Sequence, residues 1–187
     1  MKLIGITGYA RSGKDTIGEI LVREHYYVRF AFADPIKEMI QAMLEMSADD
    51  LEACKDEILQ DLGVTPRHLM QTLGTEWGRD TIDKELWINL LKRKIILQAD
   101  LHPEKNIVVT DVRFPEEAEM IRSLGGSIWK VHRDLPGLED CAHESESYID
   151  TYEVDEELIN VTGDKSVLQA QATMYHFDTP HLKHLPE

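Results

Sequence analysis

Residues 4 to 16 read Ile4-Gly-Ile-Thr-Gly-Tyr-Ala-Arg-Ser-Gly-Lys-Asp-Thr16. The apolar run from Met1 to Thr7 is rich in β-branched residues and predicts a buried strand. Gly8 then opens a Gly-x-x-x-x-Gly-Lys motif that ends at Lys14, and an apolar helical pattern follows at once. A strand before and a helix after are the context that a phosphate-binding loop requires. The stretch therefore predicts binding of a nucleoside triphosphate, with a chance glycine-rich turn as the alternative.

The chemistry of this loop follows from its residue types. Glycines let the backbone wrap around an anion with its N–H groups pointing inward, and the helix N-terminus adds a positive dipole end. Lys14 supplies a cation for the outer phosphates. The next position holds Asp15 where Ser or Thr is usual, and Thr16 follows; both offer oxygen to Mg²⁺, directly or through water. The predicted ATP contacts in the loop are Ala10, Arg11, Ser12, Gly13, Lys14, Asp15 and Thr16.

Composition narrows the class of protein. The chain has 187 residues, enough for one domain, and its 35 acidic against 20 basic residues give a net charge of −15. Such a surface should repel nucleic acid polymers, so a phosphorylated substrate needs a local basic cluster. The two cysteines, Cys54 and Cys141, have no metal-type spacing. No apolar run approaches the length of a membrane span, and the expected location is the cytoplasm.

Strands alternate with helices along the chain, which predicts an α/β fold with a five-stranded parallel sheet covered on both faces. The predicted strands are 1–7, 26–32, 106–110, 127–131 and 158–161. The predicted helices are 14–24, 36–44, 47–62, one that begins at Thr65-Pro66, 86–101, one that begins at Pro115, and 166–177.

Polar residues follow the strands, where ligands bind in parallel sheets. They include Asp34, Lys37, Asp111, Arg113, Arg133 and Asn160. Asp111 ends an apolar strand, the position of the second magnesium-binding acid in proteins with a phosphate-binding loop. Val112 follows it where a hydrolytic ATPase usually has a glutamate, and the Asn-Lys-x-Asp signature of GTPases is absent. The remaining reading is transfer of the γ-phosphoryl group to a bound acceptor.

Basic side chains recur in the segments around this predicted cleft. Planar guanidinium groups grip phosphate through two hydrogen bonds, which suits a phosphorylated acceptor; ordinary surface ion pairs are the alternative. Trp77 is interpreted as a base-stacking residue, with core packing as its alternative. The basic set is Arg11, Lys14, Lys37, Arg67, Arg79, Arg113 and Arg133.

Several motifs together resemble the viral deoxynucleoside monophosphate kinases, which have a P-loop NTPase-type three-layer sandwich. The loop carries the Gly-Lys-Asp form that this family shows. The other matching segments are Phe32-Ala-Asp-Pro-Ile-Lys37, Arg67-x-x-x-Gln71-x-x-Gly-Thr-Glu-x-Gly-Arg79, Thr110-Asp-Val-Arg-Phe-Pro115, His143-Glu-Ser-Glu146 and Ile159-Asn-x-x-Gly163.

The resemblance implies ATP-dependent, Mg²⁺-assisted phosphorylation of deoxynucleoside monophosphates. It implies one domain over 1–187, with a helical acceptor-binding insertion near 36–101, a lid near 134–155 and the option of a homodimer. Asp15, Thr16 and Asp111 would hold the metal; Lys14, Asp15, Asp111 and Arg113 would be catalytic; Arg133, Asn160 and Gly163 would join the loop in binding ATP. The acceptor residues would be Asp34, Lys37, Arg67, Gln71, Trp77, Arg79, Arg113, His143, Ser145 and Glu146.

Two alternatives stay open. Dephospho-coenzyme A kinase and animal phosphomevalonate kinase share the fold and some of these segments, so another small phosphorylated acceptor fits the same pattern. An ATP-binding regulatory module would bind the nucleotide without transferring a phosphoryl group.

Overall fold

A parallel sheet of five strands carries the fold, and the computed structural model describes residues 1–133, 148–161 and 164–182. The strands lie side by side in the order β2-β3-β1-β4-β5, and every neighbouring pair is parallel. Their bounds are β1 Leu3–Thr7, β2 Tyr27–Phe30, β3 Asn106–Val109, β4 Ser127–Arg133 and β5 Glu156–Asn160. The predicted α/β class and five-stranded parallel sheet are confirmed.

Seven α-helices and one π-helix connect or flank the strands within the described residues. The α-helices are α1 Lys14–His25, α2 Asp34–Leu44, α3 Ala48–Ala53, α4 Pro66–Thr72, α5 Leu86–Leu101, α6 Pro115–Ser123 and α7 Lys165–Asp178; the π-helix is Leu73–Ile82. None of the helices in the described ranges is both long and apolar enough to cross a membrane. By its contacts the chain divides into two compact units, 1–31 with 91–187, and 32–90.

The first unit has three layers, because alternate residues of β1 point to opposite faces of the sheet. Ile4 and Ile6 belong to a buried cluster with α1 and α7, and Trp129 of β4 is fully buried in the same cluster. On the other face Gly5 faces α6: a Cβ there would lie 2.6 Å from Cδ1 of Ile121. The predicted three-layer sandwich is therefore present in this unit.

The position of β1 decides where a ligand can bind. β1 lies in the middle of the sheet, with β3 and β2 on one side and β4 and β5 on the other. The chain therefore leaves the end of β1 where the strand order reverses, which is the binding crevice of open parallel sheets. The glycine-rich loop that follows Thr7 occupies this position.

The second unit, 32–90, is helical and departs from the sequence-based prediction in two places, the first of them in residues 47–62. The predicted helix over 47–62 is wrong, since only α3 forms. The chain then turns back on itself, with the N–H of Leu59 donating to the carbonyl oxygen of Val64 at 2.9 Å and Gly63 at a φ of +71°. This turn, which Gly63 completes at a positive φ, takes the place of the last turn of the predicted helix, so the apolar spacing in this segment does not decide its structure.

The π-helix is the other departure. The sequence predicts an ordinary helix that begins at Thr65-Pro66 and runs to the segment from Gly74 to Asp80, whereas the structure has the wider π form from Leu73 to Ile82. Trp87 is buried, and its indole Nε1 donates to the carbonyl oxygen of Gly74 at 2.7 Å. Gly78 passes so close that a Cβ would lie 2.4 Å from Cζ2 of Trp87. The tryptophan therefore fills the space that Gly78 leaves and bonds to the backbone of Gly74.

Candidate active site

The loop from Gly8 to Lys14, called the phosphate loop below, has the backbone form of an anion-binding nest. Its φ angles are positive at Gly8 (142°), Arg11 (60°) and Gly13 (112°). Alternation of left- and right-handed residues turns successive N–H groups toward one concave side. Gly13 occupies the N-cap of α1 and offers no side-chain oxygen to the first-turn N–H groups. The loop and helix therefore present backbone donors that suit phosphate oxygens.

Lys14 closes this loop with its side chain. Its Nζ donates to the carbonyl oxygens of Gly8 at 2.6 Å and Tyr9 at 2.7 Å. The ammonium group thus lies at the rim of the phosphate loop, and its role as a cation that meets the outer phosphates stays a prediction.

Two side chains from the ends of β4 and β5 support the phosphate loop from the sheet. Arg133 and Asn160 are paired in register across these strands. Nη1 of Arg133 donates to the carbonyl oxygen of Arg11 at 3.1 Å, and Nδ2 of Asn160 donates to that of Ser12 at 2.8 Å. Asn160 is buried, so the structure places its side chain beneath the loop backbone.

A second set of contacts joins the phosphate loop to residues 148–152. The hydroxyl of Tyr9 donates to Oδ2 of Asp150 at 2.5 Å, and Nζ of Lys130 pairs with Oδ1 of the same carboxylate. The hydroxyls of Thr7 and Tyr152 lie 2.7 Å apart in a hydrogen bond. The bonds from Lys130 and Tyr9 lower the pKa of Asp150, while burial raises the pKa of Tyr152.

The segment after β3 places Asp111 and Arg113 beside the end of β1. The N–H of Val112 donates to the carbonyl oxygen of Ile6 at 3.1 Å, which continues the pairing with β1. Oε2 of the buried Glu117 accepts from the N–H groups of Arg113 at 2.8 Å and Phe114 at 3.2 Å. The backbone of this segment is therefore fixed, and the Arg113 side chain is exposed.

Oxygen donors for a divalent cation follow the ends of β1 and β3, which are neighbours in the sheet. Asp15 and Thr16 lie in the first turn of α1, and Asp111 follows β3. The helix packs closely on this strand end, since a Cβ on Gly18 would lie 2.7 Å from Cγ2 of Thr110. Two carboxylates and a hydroxyl, completed by phosphate oxygens, form the kind of donor set that Mg²⁺ takes. The residues present fit the metal.

In the second unit the predicted acceptor residues lie on α2, α4 and the π-helix. Asp34 and Lys37 are half-buried in the first turn of α2, and Gln71 is exposed near the end of α4. Trp77 is 41% exposed on the π-helix, with its ring centroid 6.4 Å from that of the buried Trp87. Arg79 lies in the last turn of the same helix, three positions before its end at Ile82, and is half-buried.

Arg67 has a partner that the sequence does not predict. Its guanidinium binds the carboxylate of Asp56 through two hydrogen bonds, from Nε and from Nη2, the latter at 3.1 Å. The pair lowers the pKa of Asp56 and raises that of Arg67. A carboxylate held in this bidentate way has the geometry in which guanidinium also holds a phosphate.

Four predicted site residues, His143, Ser145, Glu146 and Gly163, lie outside the described residues. The predicted lid near 134–155 reaches the described residues only from 148 onward. There Ile149 is buried, and Tyr152 contacts Thr7 as given above.

The sequence-based prediction missed the residues that support the phosphate loop from the side. Tyr9 is a variable position of the motif, Lys130 lies inside an apolar strand, and Asp150 belongs to an acidic segment with weak periodicity. The one signal in the sequence is Lys130 itself, which lies between Trp129 and Val131 in a strand that otherwise carries apolar residues and so indicates a buried charge.

Solved structures with a similar fold extend over almost the whole chain. The protein TT1252 from Thermus thermophilus gives a TM-score of 0.54 at 15% identity and covers 96% of this chain and 98% of its own. A sugar kinase from Janibacter sp. gives 0.51 at 14% identity and 95% coverage of both chains. At these identities the likeness shows the fold alone.

Sequence relatives show the family. The profile of the family described as Deoxynucleotide monophosphate kinase matches residues 2–65 and 43–168. A protein of Acanthamoeba polyphaga mimivirus named as a deoxynucleotide monophosphate kinase is 32% identical, over 78% of this chain and 81% of its own length. The deoxynucleoside-5′-monophosphate kinase of Escherichia phage T5 is 24% identical, over 64% of this chain and 71% of its own. These matches confirm the predicted family and enzyme class: the chain belongs to the deoxynucleotide monophosphate kinase family of phosphotransferases.

Proposed function

We propose that the chain transfers the γ-phosphoryl group of ATP to the 5′-phosphate of a deoxynucleoside monophosphate and releases ADP and the diphosphate. The observation that carries the proposal is the phosphate loop, a backbone nest with Lys14 at its rim, in a chain of this family. An oxygen of the acceptor phosphate forms the new bond to the γ-phosphorus, and the bond to the bridging β-oxygen of ATP breaks. The electron pair of that bond stays on ADP.

The protein's contribution to such a transfer is position and positive charge. Backbone N–H groups of residues 10–14 and of the first turn of α1 would hold the phosphates of ATP. Lys14, at the carbonyl rim, would bind the outer phosphates and stabilise the charge that develops there. Arg133, which reaches the loop backbone at Arg11, lies on the ATP side and has further N–H donors to offer.

Bound Mg²⁺ would neutralise charge on the transferring phosphoryl group. Asp15 and Thr16 on α1 and Asp111 after β3 would hold it. We propose that Arg113, exposed beside Asp111, supplies positive charge at the acceptor phosphate.

Acceptor recognition is proposed for the second unit, with Trp77 as the stacking residue. A half-exposed indole whose other side rests near the buried Trp87 offers a flat apolar face to a nucleobase. The remaining proposed acceptor residues, Asp34, Lys37, Arg67, Gln71 and Arg79, supply charge and hydrogen bonds. The homodimer, the cytoplasmic location and the absence of nucleic acid partners stay predictions.

An acceptor panel tests the function. ADP release from ATP and Mg²⁺ is measured with dGMP, dTMP, dCMP and dAMP in turn, and with no acceptor as the control. We expect turnover that depends on at least one of these monophosphates. Turnover with dephospho-coenzyme A or phosphomevalonate alone would instead assign another acceptor class. ATP binding without transfer to any acceptor would assign a regulatory module.

A further inference from the structure

The contact between Tyr9 and Asp150 is the one link from the phosphate loop to residues 148–152 that passes through a loop side chain, among the contacts described above. The proposed reaction gives neither residue a role. We propose that Lys130 and Asp150 position the phosphate loop through the hydroxyl of Tyr9, and that ATP binding depends on this chain of contacts. The inference rests on the proposed function, since it concerns the ATP subsite of the same reaction.

The backbone on both sides of Asp150 is held by the neighbouring residues, so its carboxylate can act as a support. Ile149, its neighbour in sequence, is only 1% exposed and anchors the segment in the core. Tyr148 packs its ring 5.5 Å from that of Phe114, and Tyr152 is bonded to Thr7. The carbonyl oxygen of Tyr148 accepts from the N–H of Thr151 at 3.0 Å, which makes the segment a tight turn. The turn fixes the backbone of Asp150, and the bonds from Lys130 and Tyr9 hold its exposed carboxylate.

Lys130 explains why a charge is needed at this place. It lies in β4, in register with Thr7 at the end of β1, and is only 8% exposed. A buried ammonium group is costly unless an anion is paired with it. Asp150 supplies that anion with one carboxylate oxygen and keeps the other for the Tyr9 hydroxyl. The ion pair therefore fixes the acceptor for the tyrosine bond.

Tyr9 transmits this position to the groups that would meet the nucleotide. Its side chain is held by Asp150, while its own carbonyl oxygen accepts from Nζ of Lys14 and from the N–H of Ser12. A hydroxyl bond at one end of the residue thus limits the movement of the backbone at the other. Tyr9, Asp150 and Lys130 are positioning residues on this view, because they act on ATP through the loop backbone and Lys14.

The expected kinetic signature separates positioning from chemistry and from stability. A looser loop binds the ground state and the transition state of ATP equally less well, which raises KM for ATP and leaves kcat almost unchanged. Only part of the energy of the lost Tyr9–Asp150 hydrogen bond reaches ATP, through the loop backbone. We therefore expect KM for ATP to rise about three- to tenfold. KM for the monophosphate should stay within about twofold. If the bond served stability alone, its loss would lower the unfolding temperature without raising KM for ATP relative to kcat and to KM for the monophosphate.

The test uses Tyr9→Phe, Asp150→Asn and the double variant of the full chain, with Tyr148→Phe as the matched control. The control removes a hydroxyl from the same segment and keeps the ring against Phe114. KM for ATP, KM for the accepted monophosphate, kcat and the thermal unfolding temperature are measured for each. ATP affinity is also measured by titration without acceptor. Tyr9→Phe needs no buried charge to be rearranged and keeps the test decisive if Asp150→Asn does not fold.

The expected result is a raised KM and Kd for ATP in Tyr9→Phe and Asp150→Asn, with wild-type values in Tyr148→Phe. The double variant should bind ATP no less tightly than the more impaired of the two single variants, because both substitutions remove the same link. Wild-type ATP affinity in Tyr9→Phe, or effects that multiply in the double variant, would overturn the inference. A wild-type chain that binds ATP but transfers to no monophosphate overturns only the proposed reaction, because the titration still decides the role of Tyr9. A wild-type chain that binds no ATP overturns both.

Discussion

Single side chains define the phosphate loop more closely than its sequence motif indicates. The motif requires glycine at position 13, and the structure gives a second reason besides its φ of +112°. A Cβ there would lie 2.8 Å from Nδ2 of Asn160, the atom that donates to the carbonyl oxygen of Ser12. A side chain at Gly13 would therefore displace one of the groups that support the loop. The motif and Asn160, far apart in sequence, depend on each other.

Asp15 provides the sharpest test at the scale of one residue. Replacing it by Ala should raise the Mg²⁺ concentration needed for half-maximal activity, because one carboxylate of the proposed donor set is lost. The measurement is a magnesium titration at saturating ATP and monophosphate. Glu19→Ala is the control, since it removes an equally exposed acidic side chain one turn further along α1. If Asp15→Ala and wild type titrate alike, Thr16 and Asp111 hold the metal without it.

At the scale of elements, the π-helix Leu73–Ile82 is the unusual piece of this fold. Wide helical turns are rare beyond a single turn and are found mostly at functional sites. Here the widened turns bring two glycines against the indole of Trp87 and leave Trp77 on the exposed side. The same helix thus packs against the buried Trp87 and leaves Trp77 exposed to solvent.

Gly78→Ala should therefore destabilise the protein although alanine favours helices. The new Cβ would lie 2.4 Å from the ring of Trp87, and overpacking of this kind costs about 1–3 kcal/mol. Gly74→Ala is the graded comparison: its Cβ would meet only the end of the Ile36 side chain, at 3.0 Å, and should cost less. Urea unfolding of both variants measures the difference. Equal stability of Gly78→Ala and wild type would show that the π-helix adapts to the added methyl group.

The sequence predicts the five strands and the helices α2, α4 and α5, but not the turn and the π-helix of the second unit, for a physical reason. Buried parallel strands are apolar runs bounded by glycine or polar residues, which makes them recognisable in the sequence. The long amphipathic pattern of α5 likewise predicts its bounds, Leu86–Leu101. The turn at Leu59 to Val64 and the π-helix depend on contacts across the unit. Periodicity in one segment does not contain such contacts.

The same distinction applies to the site. Loop residues 8–16 and Asp111, whose roles stay predictions, were singled out from the sequence because the chemistry of phosphate and Mg²⁺ requires those residue types next to strand ends. Asp150 was not, since nothing local marks one acid among many as the partner of a buried lysine. Arg67 was predicted as a phosphate ligand, but its partner Asp56 appears only in the structure.

At the scale of the whole molecule, the first residues of the chain meet α7 and the residues that follow it, as far as Leu182, in the first unit. The N–H of Leu182 donates to the carbonyl oxygen of Met1 at 2.9 Å, and Nζ of Lys2 donates to the carbonyl oxygen of His176. The His176 ring stacks on that of His25, with centroids 4.3 Å apart, and its Nδ1 lies 3.0 Å from the hydroxyl of Tyr27. Helix α7 is therefore joined to α1, to β2 and to the residue before β1.

This junction predicts a loss of stability in mild acid. Burial, with the charges of Lys2, His25 and His181, lowers the pKa of His176 to about 4. The folded protein therefore keeps this ring neutral, while the unfolded chain takes up a proton near pH 6.5. The contribution of His176 is complete above about pH 6.5 and falls as the pH drops toward about 4. Urea unfolding across this range should show a declining free energy of unfolding.

His176→Asn should make that decline shallower, because the variant has no ring to protonate. The lowered pKa of His25 keeps part of the dependence in the variant. His68→Asn, at an exposed position on α4, is the control and should retain the wild-type slope. A wild-type slope in His176→Asn as well would assign the acid sensitivity to other groups.

The contacts of Lys14 with the loop carbonyls make the phosphate loop resemble a pre-organised host in host–guest chemistry. Its bonds to the carbonyl oxygens of Gly8 and Tyr9 close a ring of backbone and side-chain atoms, much as a strap closes a macrocycle. Hosts of this kind bind well because the cost of gathering their donor groups is met before the guest arrives. The ammonium group is then both strap and recognition element. Substituting it would remove a ligand for phosphate and also open the receptor that the remaining N–H groups form.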